Sequence, residues 1–87
     1  MDQDVKAMYD NADKFINLAN EIFQSDKSGM AGVAIRFAAA RFSAFEASLR
    51  TADLESDKEK MLQLFADDFT NMLRSNIEDY IKAQTPK

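Results

Sequence analysis

Apolar residues recur along this chain in alternating steps of three and four, the signature of helices that each bury one stripe. The first such segment predicts a helix over about residues 4–24. Val5, Met8, Ala12, Phe15, Ala19 and Ile22 form its stripe, and Tyr9, Ile16 and Phe23 widen it. Asp2 or Asp4 supplies an N-terminal cap and a negative charge at the positive end of the helix dipole. Ser25-Asp26-Lys27-Ser28-Gly29 then reads as a connection.

A second helix is predicted over about 29–50, with Ser28 as its cap. Its apolar arc holds Met30, Val33, Ala34, Phe37, Ala38, Ala44, Phe45 and Leu49, while Arg36, Ala39, Ser43, Glu46 and Arg50 lie opposite. A helix this apolar is expected to sit centrally between two neighbours. After a connection at residues 51–55, Ser56-Asp57-Lys58-Glu59 has the spacing of a capping box, serine followed three places later by glutamate. The third helix is expected over about 56–83, with Leu62, Phe65, Phe69, Met72, Asn76 and Asp79/Tyr80 on its stripe and Leu73, Ile77 and Ile81 beside it.

Short connections turn sequential helices back on one another, so the pattern predicts an all-α, antiparallel, up-down-up three-helix bundle with a Phe-rich core. A single domain covering residues 1–87 is expected, with a frayed N-terminus and a disordered tail from about residue 84. Neither an internal repeat nor a low-complexity segment interrupts it. Leu64 and Ile81 fall far from the centre of the third stripe, so a surface for self-association into a homodimer is also consistent with the pattern.

Composition narrows the chemistry. The chain has 87 residues, 46% of them hydrophobic and 30% charged, which is globular rather than disordered composition. The formal net charge of −4 disfavours partners built of phosphate, so neither nucleic acid nor an anionic membrane surface is expected. There is no cysteine and no histidine. That removes thiolate chemistry, disulfides, the commonest general base and the commonest metal ligand. No run approaches the roughly 20 apolar residues of a membrane span, and the chain opens on Met1-Asp2-Gln3-Asp4 rather than on a basic segment, so a cytoplasmic location is expected.

Two polar residues fall on apolar stripes. Stepped at about 100° per residue, Arg41 lies near the centre of the second helix's arc, and a guanidinium cannot lose its charge to escape burial. As a structural element it would pair with Asp13, Asp68, Asn76 or Asp79 on a neighbouring helix; as a functional one it would anchor a carboxylate or phosphate. Asn76 sits near the centre of the third stripe, where one polar core position fixes register or oligomeric state. Tyr9, Asp13 and Asn20 line the edge of the first stripe and complete the candidate polar network. The acidic pairs Asp67-Asp68 and Glu78-Asp79 point about 100° apart within each pair, too divergent to converge on one substrate. Gly29-Met30-Ala31-Gly32 lacks the preceding strand of a phosphate-binding loop.

The segments Tyr9-Asp10-Asn11-Ala12-Asp13-Lys14-Phe15-Ile16-Asn17-Leu18-Ala19-Asn20, Ala39-Ala40-Arg41-Phe42-Ser43-Ala44-Phe45 and Met72-Leu73-Arg74-Ser75-Asn76-Ile77-Glu78-Asp79-Tyr80 together resemble a family of short, all-helical bacterial proteins known as a domain of unknown function. The resemblance implies a compact helical protein without an assigned activity. Its polar motif members are Tyr9, Asp13, Asn20, Arg41, Asn76 and Tyr80, and it implies no catalytic residue, metal or cofactor.

The favoured reading is a non-enzymatic protein-binding or adaptor module acting through a helix groove or through self-association. The rival is a small anionic-ligand site, or a modest enzyme, centred on Arg41 between helices. The two differ in where the donors of Arg41 point.

Overall fold

Each of the three predicted helices forms, within a residue or two of its expected ends. A computed structural model describes residues 2–84, so Met1 and the expected tail at residues 85–87 lie outside the described residues. The architecture is all-α: α1 spans Gln3–Ser25, α2 Met30–Arg50 and α3 Leu54–Gln84, with no strand among the described residues. Two compact units divide the chain, residues 1–42 and 43–87, and the division falls inside α2 rather than in a connection.

In the first unit, Asp2 caps α1: its Oδ1 accepts the Asp4 N–H at 2.8 Å. The other end closes when the Asp26 N–H donates to the Ile22 carbonyl at 2.8 Å. Four residues, 26–29, connect α1 to α2. Asp26 Oδ1 accepts the Ser28 N–H at 2.9 Å, Gly29 takes φ +89°, and the Met30 N–H donates to Ser28 Oγ at 3.2 Å to start α2. A positive φ of this size costs a side chain about 1 kcal/mol or more, so glycine is the residue the turn requires. The shielded positions of the unit are Ala12, Ala19, Ala31, Gly32 and Ile35.

The second unit joins the end of α2 to α3 through a denser polar network. Thr51 Oγ1 donates to Asp57 and accepts the Asp53 N–H at 3.1 Å. The capping box expected at Ser56 is displaced. Asp53 is the residue that caps: its Oδ1 accepts the Ser56 N–H at 3.2 Å and its Oδ2 accepts the Ser56 hydroxyl at 2.8 Å. The helix therefore begins at Leu54, two residues early. An aspartate offers two acceptor oxygens and caps as well as serine does, so the earlier site wins and Ser56 becomes its third-position partner. Shielded here are Ser43, Glu46, Ala47, Thr51, Asp57, Met61 and Phe65.

The Phe-rich core is the expectation that fails. Among the described residues only Ala31 and Ala47 are buried, at 7% and 5% exposure, and no polar or charged residue is. Phe15, Phe37, Phe69 and most other large apolar side chains are exposed. On α2 the covered positions near the C-terminal end are Ala47 and, from the side expected to face water, Ser43 and Glu46, while Val33, Phe37 and Leu49 of the apolar arc are open. Small side chains let helix backbones approach closely, and periodicity alone does not say which face meets a neighbour.

Candidate functional site

Four of the six candidate polar residues, Tyr9, Asp13, Asn20 and Arg41, belong to the first unit; Asn76 and Tyr80 belong to the second. All six are exposed.

Arg41 is therefore not the buried guanidinium its wheel position implies. It stands on the open side of α2, one turn after Phe37, with its Cζ 5.9 Å from the centroid of that ring. A cation over an exposed ring is worth about 0.5–1 kcal/mol, enough to bias a rotamer but not to hold a fold together. Among the described residues it pairs with no carboxylate; the ion pair present is Lys6 with Asp10 at 2.6 Å, one turn apart on α1. The wheel reading misplaced Arg41 because it assumed that the apolar arc would be the covered one.

Asn76 is likewise exposed, and its Nδ2 donates to the Met72 carbonyl at 2.8 Å, one turn back on the same helix. It remains in the midst of apolar side chains, since Met72, Leu73, Ile77 and Tyr80 surround it on α3 and are all exposed. Tyr9, Asp13, Asn20 and Tyr80 make no side-chain hydrogen bond among the described residues.

The second unit contains a feature that the residue pattern did not single out. A solvent-open depression of about 360 Å³ is lined by Arg50, Leu64, Phe65, Asp68 and Asn71. Arg50 lies across Phe65, its Cζ 5.3 Å from the ring centroid, and Asn71 Oδ1 accepts Arg74 Nη1 at 3.1 Å. Arg50 looked like an outer-face residue, and only the choice of covered face brings it to Phe65. The lining of the depression carries one cation, Arg50, and one carboxylate, Asp68. No group of three or more carboxylates among the described residues is placed to hold a metal ion.

Two carboxylates carry a perturbed acidity, and both sit in the helix connections. Asp53 is held below its ordinary value of 3.8 by the Ser56 hydroxyl and then the Ser56 N–H. Ser28 does the same to Asp26, through its side chain and its N–H. Both hydrogen-bond the charged form and thus favour it, which marks them as structural caps rather than proton donors or acceptors in a site.

No helix among the described residues is long and apolar enough to cross a membrane. Comparison with curated proteins and with solved structures gives no match. The sequence model of one family does match, over residues 8–81, and the chain belongs to that family, described as a protein of unknown function (DUF3144).

Proposed function

We propose that this chain is a non-enzymatic binding module, a single domain that engages a protein partner through exposed apolar helix faces. One observation carries the reading: large apolar side chains on all three helices lie open while the buried positions among the described residues are two alanines. Soluble proteins seldom leave so many large apolar groups uncovered unless another surface meets them. The missing residue types agree with it, since neither a histidine nor a cysteine is present to do acid–base or nucleophilic work. Net acidity argues against nucleic acid as the partner.

The rival, an anion site built on Arg41, loses its support because Arg41 stands exposed beside a ring and does not line the depression described above. Site-specific photo-cross-linking in cells tests the binding reading. A photoreactive residue in place of Phe37 or Phe69 is expected to capture a defined protein, whereas one at Glu59 is not. Equal, sparse capture at all three positions would sink it.

A further inference from the structure

Resting on the binding reading above, we propose that the partner is a second copy of this chain, which covers the α3 stripe of Leu62, Phe69, Leu73, Ile77 and Tyr80 and encloses Asn76 at its edge. These five residues are spaced by 7, 4, 4 and 3 and fall within about 80° of the helix circumference. They are between 46% and 72% exposed. From residue 66 to residue 84 no position is even half-buried.

The stripe has the composition of an interface core rather than of a solvated helix face. From Leu62 to Gln84 no charged residue lies on the arc, although Asp67, Asp68, Arg74, Glu78, Asp79 and Lys82 all lie elsewhere on the circumference of the same stretch. Interface cores are depleted in charge and enriched in aromatic and methionine side chains, and Met72 flanks the arc. Its size fits as well. The stripe with Met72 on its flank exposes on the order of 450 Å² of apolar side chain, taking about 150 Å² for each and roughly half of it open. A stable interface takes about 800 Å² from each partner, of which roughly 450–500 Å² is apolar.

The need for a permanent partner selects the second copy. Below about 40 residues, helical units seldom bury enough apolar surface to stand alone, and oligomerisation is the usual remedy for a chain without disulfide or metal. Each unit of this chain is only slightly longer than that, and among the described residues each buries a single alanine. Such a surface requires covering whenever the chain is folded. Another copy is the one protein present wherever this chain is, and a two-fold arrangement lets the same stripe serve on both sides. Asn76 then acquires a role: a lone amide at the edge of an apolar seam favours the register in which it meets another polar group.

Sedimentation equilibrium of the full chain tests this over a wide concentration range. The wild type is expected at twice the chain mass of 9.8 kDa, with a Tm that rises with concentration. Phe69→Asp and Ile77→Asp are expected to raise the dissociation constant by at least about 100-fold, whereas Ser75→Asp, the same charge on the far side of α3, leaves it unchanged. Circular dichroism confirms that each variant remains helical. Should the aspartate variants unfold, Asn76→Leu decides: it is expected to tighten association and to admit species other than the dimer. A wild type that is monomeric throughout, with a constant Tm, overturns the second-copy assignment, as does an Asn76→Leu variant that associates like the wild type. Cross-linking separates the two readings. A monomer whose position 69 captures a different protein leaves the binding reading standing, whereas a monomer that captures nothing overturns both.

Discussion

Two stretches of α3 carry the same hydrophobic spacing in different surroundings. Up to Phe65 the helix is anchored: Asp53 and Ser56 cap it, Thr51 bonds Asp57, and Asp57, Met61 and Phe65 are half-buried with Arg50 lying across the last ring. From residue 66 onward the periodicity continues through Phe69, Leu73, Ile77 and Tyr80, yet every position is exposed. The contrast separates two jobs that one sequence pattern can encode. In the first stretch part of the apolar spacing is covered within the chain's own unit; in the second all of it lies open.

The largest effect expected from this contrast is at Phe65. Replacing it with alanine removes a half-buried ring and should lower stability by about 2 kcal/mol at every protein concentration, part of the 3–5 kcal/mol of a fully buried ring. Phe69→Ala should cost stability only at concentrations where the chain associates. Urea titrations at a low and a high concentration read both; equal, concentration-independent losses would erase the distinction between the stretches.

Covered and open small residues extend it. Ala47, buried at 5% exposure, should not accept a larger side chain, and Ala47→Leu is expected to cost about 1.5 kcal/mol through overpacking. Ser75, exposed on the far side of α3 from the stripe of Phe69 and Ile77, should accept leucine within about 0.5 kcal/mol. Thermal melts of the two variants settle whether the covered face is the one described.

A smaller contrast concerns the two glycines. Gly29→Ala forces a side chain into φ +89° and should destabilise by about 1 kcal/mol. Gly32→Ala places its Cβ 3.4 Å from Arg36 Nη1, at the far end of a flexible side chain, and should stabilise by about 0.5 kcal/mol because alanine has less freedom to lose. Denaturant midpoints that move in the same direction for both would contradict the turn geometry.

The smallest expected effect is the pH response of the caps. Asp53 and Asp26 have folded-state acidities lowered by their serine partners, so their contribution is present above the ordinary value of 3.8 and is lost as pH falls below it. Asp53→Asn should flatten the fall of Tm between about pH 4 and pH 2 without altering the Tm at neutral pH by more than a few degrees. An unchanged acid slope would show that the anchored start of α3 does not depend on the charged carboxylate.

Much of this was legible before any coordinates. The spacing of Val5, Met8, Ala12 and Phe15 announces α1, the Asp2 and Ser28 caps act where expected, and Gly29 marks the turn. The polar candidates are less legible. Arg41 and Asn76 stand among apolar positions of the sequence, but burial does not follow from that placement, because a helical wheel has no partner helix drawn on it. Arg50 shows the reverse: its position opposite the apolar arc reads as an outer face, yet it lies across Phe65.

The sequence by itself determined local matters: three helices, their ends to within two residues, the Ser28 cap though not the Asp53 one, and which residues share a face. These depend on backbone hydrogen bonding and on contacts a few residues away. Only the tertiary structure decided which face each helix covers. It chose Ser43, Glu46 and Ala47 of α2 over the arc of Val33, Phe37 and Leu49, and it left the far stretch of α3 open. That choice depends on how closely two backbones can approach, which small side chains permit and a hydropathy pattern does not record.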